Sequence, residues 1–512
     1  MSEENKNGNN TDNGEQQSKG LLNVIEKIGN KLPEPFFIFI YLAGIVMILS
    51  MIFHWFGATV EHPGTGEMLE IKSLLSFEGL EFILSSMISN FTGFAPLGLV
   101  LVMMFGIGLA DKVGLLETAI KSSILKAPKS LITYAVVFVG ILGNIASDAA
   151  FVLIPPLAAM VFYTIGRHPL AGLAAGFAGA GSGFTANILV TGTDALLSGI
   201  TTEAAKSIDE SFIVTPVDNY FFMAASVFIM TIVGGLITDK LVEPRLGEYK
   251  GNVEKEVNEV TALELRGLRN AVIAALIYIA VVLLLIFLPG SSLTNEDGGL
   301  IPSPLLSNIV PIILLLFITV GSAYGITTKK IKSQNDVVTY MAESIKGMAG
   351  YIVLIFAAAQ FIAYFNWSNL GTWIAVNSAD ALISINLTGL PIVIAFSVLM
   401  TLLNLIIFSG SAQWALMAPI FVPMFMLLDY NPAFIQAAYR IADSSTSVIT
   451  PLNPYILLVL AVMRNYQKNT GLGTLISMML PYALSFFGIW VVMLIIFALL
   501  GIPFGPGVGV NM

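Results

Sequence analysis

Apolar runs of roughly 18 residues or more, the length that crosses a bilayer as a helix, recur along the whole of this sequence. They are continuous and do not alternate with period two, which excludes a membrane β-barrel. Charged residues make up 11% of the 512 positions, whereas soluble globular domains carry roughly 25%. The fold class is therefore an all-α polytopic membrane protein. The chain has no cysteine, so disulfides, thiolate metal sites and cysteine nucleophiles have no parts here. His54, His62 and His168 fall at or beyond the ends of the apolar runs. A membrane-embedded hydrolase working through histidine or cysteine is thereby disfavoured. The missing Walker A pattern argues against direct ATP hydrolysis. No nucleic-acid partner is expected. Residues 1–20 are polar and low in complexity and read as a disordered cytosolic tail, without the basic-then-apolar pattern of a signal peptide. Residues 21–512 form the membrane domain.

Nine spans are expected, at 36–55, 94–110, 170–200, 218–238, 270–288, 305–325, 348–365, 432–463 and 474–500. Two further apolar stretches, 131–166 and 387–428, are each interrupted by small and polar residues, Gly143 to Asp148 and Ser409 to Gln413. They read as re-entrant hairpins, whose irregular tips are tolerated only where buried or lining a cavity. With the N-terminus cytosolic and the C-terminus outside, 21 of the 24 Lys and Arg residues lie on the cytosolic side, as the positive-inside rule requires. Lys72 and Lys206 lie outside, and Arg440 lies within a membrane segment. Residues 73–93 are amphipathic and are expected to lie on the outer membrane surface.

The two hairpins overlay. Ser147 matches Ser411 and Pro155 matches Pro419 at an offset of 264. Together with the opposite orientation that the charges give the hairpins, this makes 94–238 and 348–500 an inverted repeat. Discontinuous helices in such repeats hold the substrate of many ion-coupled transporters. The spans 170–200 and 432–463 break at Gly179–Gly183 and at Asp443–Thr446, roughly 18 Å of helix rise past Pro169 and Pro432.

Arg440 is the residue most expressive of function, because a charge at membrane depth costs at least about 2.5–3.5 kcal/mol and faces a cavity or a partner. Its planar fork suits carboxylate oxygens; the structural alternative is an ion pair with Asp443, three residues on. Trp414, near the second hairpin tip, reads as a stacking wall for an aromatic substrate or as an interfacial belt residue. Ser411 and Asn187 are candidate polar contacts. Asp148, Asp194 and Asp443 are the candidate ion sites. Asp443, also a candidate substrate contact, is expected to stay ionised beside Arg440 unless substrate draws Arg440 away. Asp194, with no basic neighbour in sequence, therefore comes first as proton carrier. The tips around Ser147 and Ser444 would instead suit sodium, and Asp148 alternatively caps a half-helix. A proton gradient is favoured over sodium, with no cofactor. Pro432 and Pro451 fix where helix stops.

Six motifs resemble the aminobenzoyl-glutamate transporter (AbgT) family. They are Gly29-Asn-Lys-Leu-Pro-Glu-Pro35, Ala146-Ser-Asp-Ala149, Gly183-Phe-Thr-Ala-Asn187, Ser411-Ala-Gln-Trp-Ala415, Tyr439-Arg-Ile-Ala-Asp-Ser444 and Thr450-Pro-Leu-Asn-Pro-Tyr455. The resemblance covers nearly everything after the tail. It implies a homodimer in the bacterial cytoplasmic membrane, each protomer with nine spans and two hairpins around a water-filled cavity. It also implies transport of p-aminobenzoyl-glutamate or related folate-pathway aromatic carboxylates; efflux of sulfonamide antimetabolites or carriage of another organic anion is the alternative. The family's functional positions match Asp194, Ser411, Trp414, Pro432, Arg440, Asp443 and Pro451. Ala180-Gly181-Ser182 is less glycine-rich than the family pattern.

Overall fold

The computed structural model describes residues 33–512 except positions 64, 147, 252–259, 296, 302 and 469. The tail 1–20 and Ser147 lie outside the described residues, and so does the side chain of Asp148.

The first span, α1 (Pro35–Trp55), begins with proline at a helix position whose N–H would have no partner. A two-stranded turn follows, β1 (Thr59–Glu61) against β2 (Met68–Glu70), with Val60 opposite Leu69. The helix α2 (Phe77–Thr92) is capped by Ser76 and stops at Gly93, so 77–92 is a helix distinct from α3 (Ala95–Lys112). It is not free: Asn90 donates to Gln360 Oε1 at 3.0 Å and Gln360 to the Met87 carbonyl at 2.9 Å. A short helix α4 (Leu115–Leu125) leads to the first hairpin, α5 (Ile132–Leu142) and α6 (Asp148–Thr164), joined by a tight 3-10 turn over Gly143–Ala146. Next come a broken span, α7 (Pro169–Ala180) and α8 (Gly192–Ala205), and the helix α9 (Tyr220–Ile237). The pair α10 (Ala262–Phe287) and α11 (Ile309–Thr327) and the amphipathic α12 (Gln334–Lys346) separate the halves. The second half repeats the order of the first. A span, α13 (Ala349–Trp367), and a shorter helix, α14 (Leu370–Ser384), lead into a hairpin of α15 (Leu390–Asn404) and α16 (Gly410–Met426). A broken span, α17 (Pro432–Ser445) and α18 (Tyr455–Tyr466), and a long helix, α19 (Leu472–Leu500), complete it.

Among the described residues, eight helical stretches are long and apolar enough to cross a membrane. That set includes Lys129–Ala146, the outgoing limb of the first hairpin, and omits both broken spans because their halves are individually short. The two hairpins close on themselves. Arg167, just after α6, donates to Thr133 Oγ1, at the head of α5, at 2.6 Å. Tyr430, just after α16, meets the backbone of Gly389, just before α15. Each apolar stretch therefore returns to the end it left. Glycine allows the first hairpin to lie directly on the first broken span, since a Cβ on Gly179 would stand 2.7 Å from the Val137 carbonyl and 2.9 Å from Gly140 Cα.

Both hairpin bases are fastened to the last helix of their own half, by different chemistry. At the first base, Arg167 bridges Asp239 (2.7 Å) and Glu243, in the π-turn and short helix that end α9. Burial opposes the Arg167 charge, but the bonds to Glu243 and Asp239 outweigh it and raise the guanidinium pKa. At the second base the segment after α19 forms a backbone strap: Asn431 N donates to the Val510 carbonyl at 2.8 Å, and Tyr430 bridges Asn511. Phe504, fully buried, locks the strap against Phe222 and Phe434 with centroids 5.3 and 5.0 Å away. Beneath it, Gly505 packs on the Asp218 backbone, and the Asp218 carboxylate accepts from the Thr215 N–H at 3.0 Å.

Candidate functional site

The two broken spans meet at their breaks. Helix α7 ends where Gly179 and Gly181 pack too closely for side chains, and the chain runs irregularly to Thr191 before α8 begins. Helix α17 starts at Pro432, behind an Asn431 cap, and unwinds after Ser445 into a turn carrying Pro451. Pro432 therefore fixes where the second half-helix starts, and only Pro451 lies in a break. Across the contact, Ser182 Oγ donates to the Ser445 carbonyl at 3.2 Å, and Thr185 Oγ1 lies 2.6 Å from Ser444 Oγ. Ser444 is thus engaged in joining the breaks.

At this crossing lies a buried ion pair that local spacing does not reveal. Arg440 Nη2 reaches Asp194 Oδ1 at 2.6 Å and the Thr185 carbonyl at 2.8 Å. Asp194 Oδ2 accepts from Asn187 Nδ2 (2.9 Å), Thr191 N (2.7 Å) and Thr191 Oγ1 (2.9 Å). The bond from Thr191 N is one half of the capping box of α8, whose other half runs from the Asp194 backbone N–H to the Thr191 side chain. Arg440 and Asp194 are 1% and 2% exposed. In place of the alternative pairing of Arg440 with Asp443 stands one across the two halves, and Asp194, without a basic neighbour in sequence, has one in space. Breaking this pair from one side would leave a buried charge uncompensated, a loss on the order of 3–5 kcal/mol. Arg440 Nε has no hydrogen-bond partner among the described residues.

Asp443 is the acid left over. It has no side-chain hydrogen bond or ion pair among the described residues and lines a cavity of about 380 Å³. Its carboxylate lies against Gly410, the first residue of α16, where a Cβ would collide with both oxygens. Ser409, which caps α16, and Ser411 stand beside it in the same wall, with Ser447 from the second break. Thr193 apart, the rest of the lining is largely apolar: Phe151, Phe184, Leu196, Leu197, Phe408, Pro454 and Tyr455. A second cavity of about 360 Å³, lined among others by Asp111, Lys112, Ala146 and Glu343, shares Thr193 and Leu196 with the first. The two cavities are thus neighbours across Thr193 and Leu196, the second lying on the side that bears Lys112 and the first hairpin tip.

Of the residues expected at the site, Ser411 and Asp443 line the cavity, whereas Arg440, Asp194 and Asn187 sit behind it as a buried cluster. Trp414 is fully buried. It stacks on Tyr439 with centroids 4.5 Å apart at 24°, and its indole N–H donates to Thr201 Oγ1 at 3.0 Å. Thr201 in turn donates to Gln436 (2.6 Å), Gln436 to Asn219 (3.1 Å), and Asn219 to the Ala433 carbonyl (2.8 Å). Trp414 therefore locks the second hairpin to α8 and α17 in this state. Thr201→Val, which keeps the shape and strands the indole N–H, is expected to cost about 1–3 kcal/mol. A fall in the thermal unfolding midpoint of the purified protein is the check.

Two asparagines were missed. Asn144, in the first hairpin tip, donates to the Phe184 and Ala186 carbonyls at 2.6 and 2.8 Å, gripping the first break. Asn404, at the end of α15, donates to the Asp443 carbonyl and to Thr446 Oγ1 at 2.7 and 3.0 Å, gripping the second. Both leave their side-chain oxygen buried without a partner among the described residues. The match was hidden because Asn404 lies 260 positions after Asn144, not 264. The second tip is four residues longer.

Comparison with known proteins places this arrangement. The model of the AbgT putative transporter family matches residues 20–512. The p-aminobenzoyl-glutamate transport protein of Escherichia coli (strain K12) is 45% identical over 494 residues, 96% of this chain and 97% of that one. Among solved structures, the YdaH transporter of Alcanivorax borkumensis, described as having an unusual topology, is 39% identical. It superposes with a TM-score of 0.89 over 93% of this chain and 100% of its own. MtrF of Neisseria gonorrhoeae, described as illuminating a class of antimetabolite efflux pumps, is 42% identical, with a TM-score of 0.90 over 95% of this chain and 99% of its own.

Proposed function

Because this chain belongs to the AbgT family of transporters, we propose that it is an ion-coupled secondary carrier of p-aminobenzoyl-glutamate or a related aromatic carboxylate. It is a multi-pass membrane transporter and not an enzyme. The observation that carries the reading is the Asp443 cavity, which is walled by the second hairpin tip and neighbours the cavity beside the first. Its size falls within the roughly 300–1,000 Å³ of small-molecule sites, and it combines aromatic walls with a hydroxyl-rich polar end. Efflux of an antimetabolite, the activity of the class that MtrF is said to illuminate, would use the same cavity in the opposite direction.

Coupling is assigned to Asp443 instead of Asp194. A helix N-terminus carries partial positive charge and attracts anions. The Asp443 carboxylate already occupies that place at the head of α16. A substrate carboxylate and an ionised Asp443 repel each other there, so substrate binding favours a proton on Asp443. The driving ion is therefore the proton, and Asp194 stays committed to Arg440. Uptake of radiolabelled p-aminobenzoyl-glutamate into proteoliposomes tests the reading. Saturable accumulation driven by a pH gradient without sodium is expected; no uptake under a proton or a sodium gradient would refute carriage of this substrate.

The same reading places the protein in the bacterial cytoplasmic membrane as a homodimer, with the N-terminus cytosolic, the C-terminus outside and the two halves inverted. Single cysteines replacing the exposed Asp297 and Asp380 should be labelled from outside intact cells. Cysteines replacing Lys250 and Asn335 should react only after permeabilisation. Outside labelling at position 250 breaks the inverted arrangement.

A further inference from the structure

The Asp443 cavity has an aromatic side distinct from Trp414. Phe151, on the return limb of the first hairpin, stacks on Tyr455 with centroids 4.7 Å apart and planes within 9°. Phe184, from the first break, lies 6.0 Å from Phe151 at 32°. All three rings line the cavity, and Phe184 and Tyr455 are partly exposed to it. Tyr455 is held by its own turn: Asn453 accepts from the Tyr455 N–H at 2.9 Å and donates to the Ser447 carbonyl at 2.8 Å. The ring thus begins α18 in a fixed place. Trp414, by contrast, is absent from the lining and has Tyr439 stacked on its face.

We propose that the row Tyr455–Phe151–Phe184 is the aryl-binding wall of the transport site, a role that rests on the aromatic-carboxylate reading above. Aromatic rings pair in offset-stacked or edge-to-face contacts beyond simple area burial, and a row of rings with partly open faces offers such contacts to an incoming ring. Thr193 of α8 apart, the polar wall belongs to the second hairpin and the second break (Ser409, Gly410, Ser411, Asp443, Ser447), whereas two of the three rings belong to the first hairpin and the first break. A ligand with an aryl end and a carboxylate end therefore spans both halves of the protein. A carboxylate without a ring touches only one.

The test compares two competitors against radiolabelled p-aminobenzoyl-glutamate bound to the full-length protein in nanodiscs. Benzoyl-glutamate carries the ring, and N-acetylglutamate keeps the amide and both carboxylates without it. In Tyr455→Leu and Phe184→Leu the preference for benzoyl- over N-acetylglutamate should fall by about three- to tenfold, the scale of one lost ring contact. N-acetylglutamate affinity should stay within about twofold, which also reports an intact fold, and Tyr455→Phe should keep the preference. An unchanged preference in both leucine variants, or equal losses for both competitors, overturns the wall while leaving the proposed carrier standing. A wild-type protein without aryl preference overturns the wall and the aromatic-carboxylate reading together.

Discussion

Asp194→Asn is expected to abolish transport and to destabilise the protein by on the order of 3–5 kcal/mol, the range for breaking a buried ion pair from one side. The side chain is surrounded by donors: Arg440 at one oxygen, and Asn187 and the backbone and hydroxyl of Thr191 at the other. An amide has a single acceptor oxygen, so in either orientation its NH2 group faces a donor and the guanidinium loses its counter-charge. Adding Arg440→Met to Asp194→Asn removes the stranded charge and should recover most of the thermal stability. It should not recover transport, because the tie between the two breaks through Thr185 goes with it. Thermal unfolding and uptake measured on the single and double variants separate the two effects. A stable, fully active Asp194→Asn would mean the pair holds nothing that transport needs.

Asp443→Asn should give the second large effect, and a different one. This carboxylate has no bond to lose among the described residues, so stability should change by well under the value above. Substrate binding and exchange across the membrane should persist, because the amide no longer repels a substrate carboxylate at the head of α16. Concentrative uptake under a pH gradient should fall at least tenfold, since no group remains to carry the proton. Gly410→Ala is the steric companion. Glycine to alanine within a helix normally gains about 1 kcal/mol. Here the new methyl meets the Asp443 carboxylate directly, so transport should suffer although helix propensity improves.

Much of this arrangement was legible in the sequence, for identifiable reasons. The hairpins showed themselves because polar residues interrupt apolar runs, and because the basic residues sort only if both stretches return to their own side. Arg440 and Asp194 stood out because charge at membrane depth is costly. Their pairing did not: it joins positions 246 residues apart, whereas spacing along one helix points Arg440 toward Asp443. Trp414 lies one turn into α16, and nothing local tells which face of that helix is covered by α8 and α17. The rings of Phe151, Phe184 and Tyr455 sit in apolar surroundings where aromatic residues are ordinary, so only their convergence from three segments marks them. Asn144 and Asn404 were lost to a fixed offset between tips of unequal length.

Proton uptake on substrate binding tests the central claim most directly. The purified protein in weakly buffered solution is mixed with p-aminobenzoyl-glutamate, and the pH change is read with an indicator dye. Asp443 as the coupling acid predicts about one proton taken up per substrate bound in the wild type, none in Asp443→Asn, and an unchanged amount in Ser411→Ala. The same uptake in Asp443→Asn as in the wild type, or binding that requires sodium and moves no proton, would contradict it.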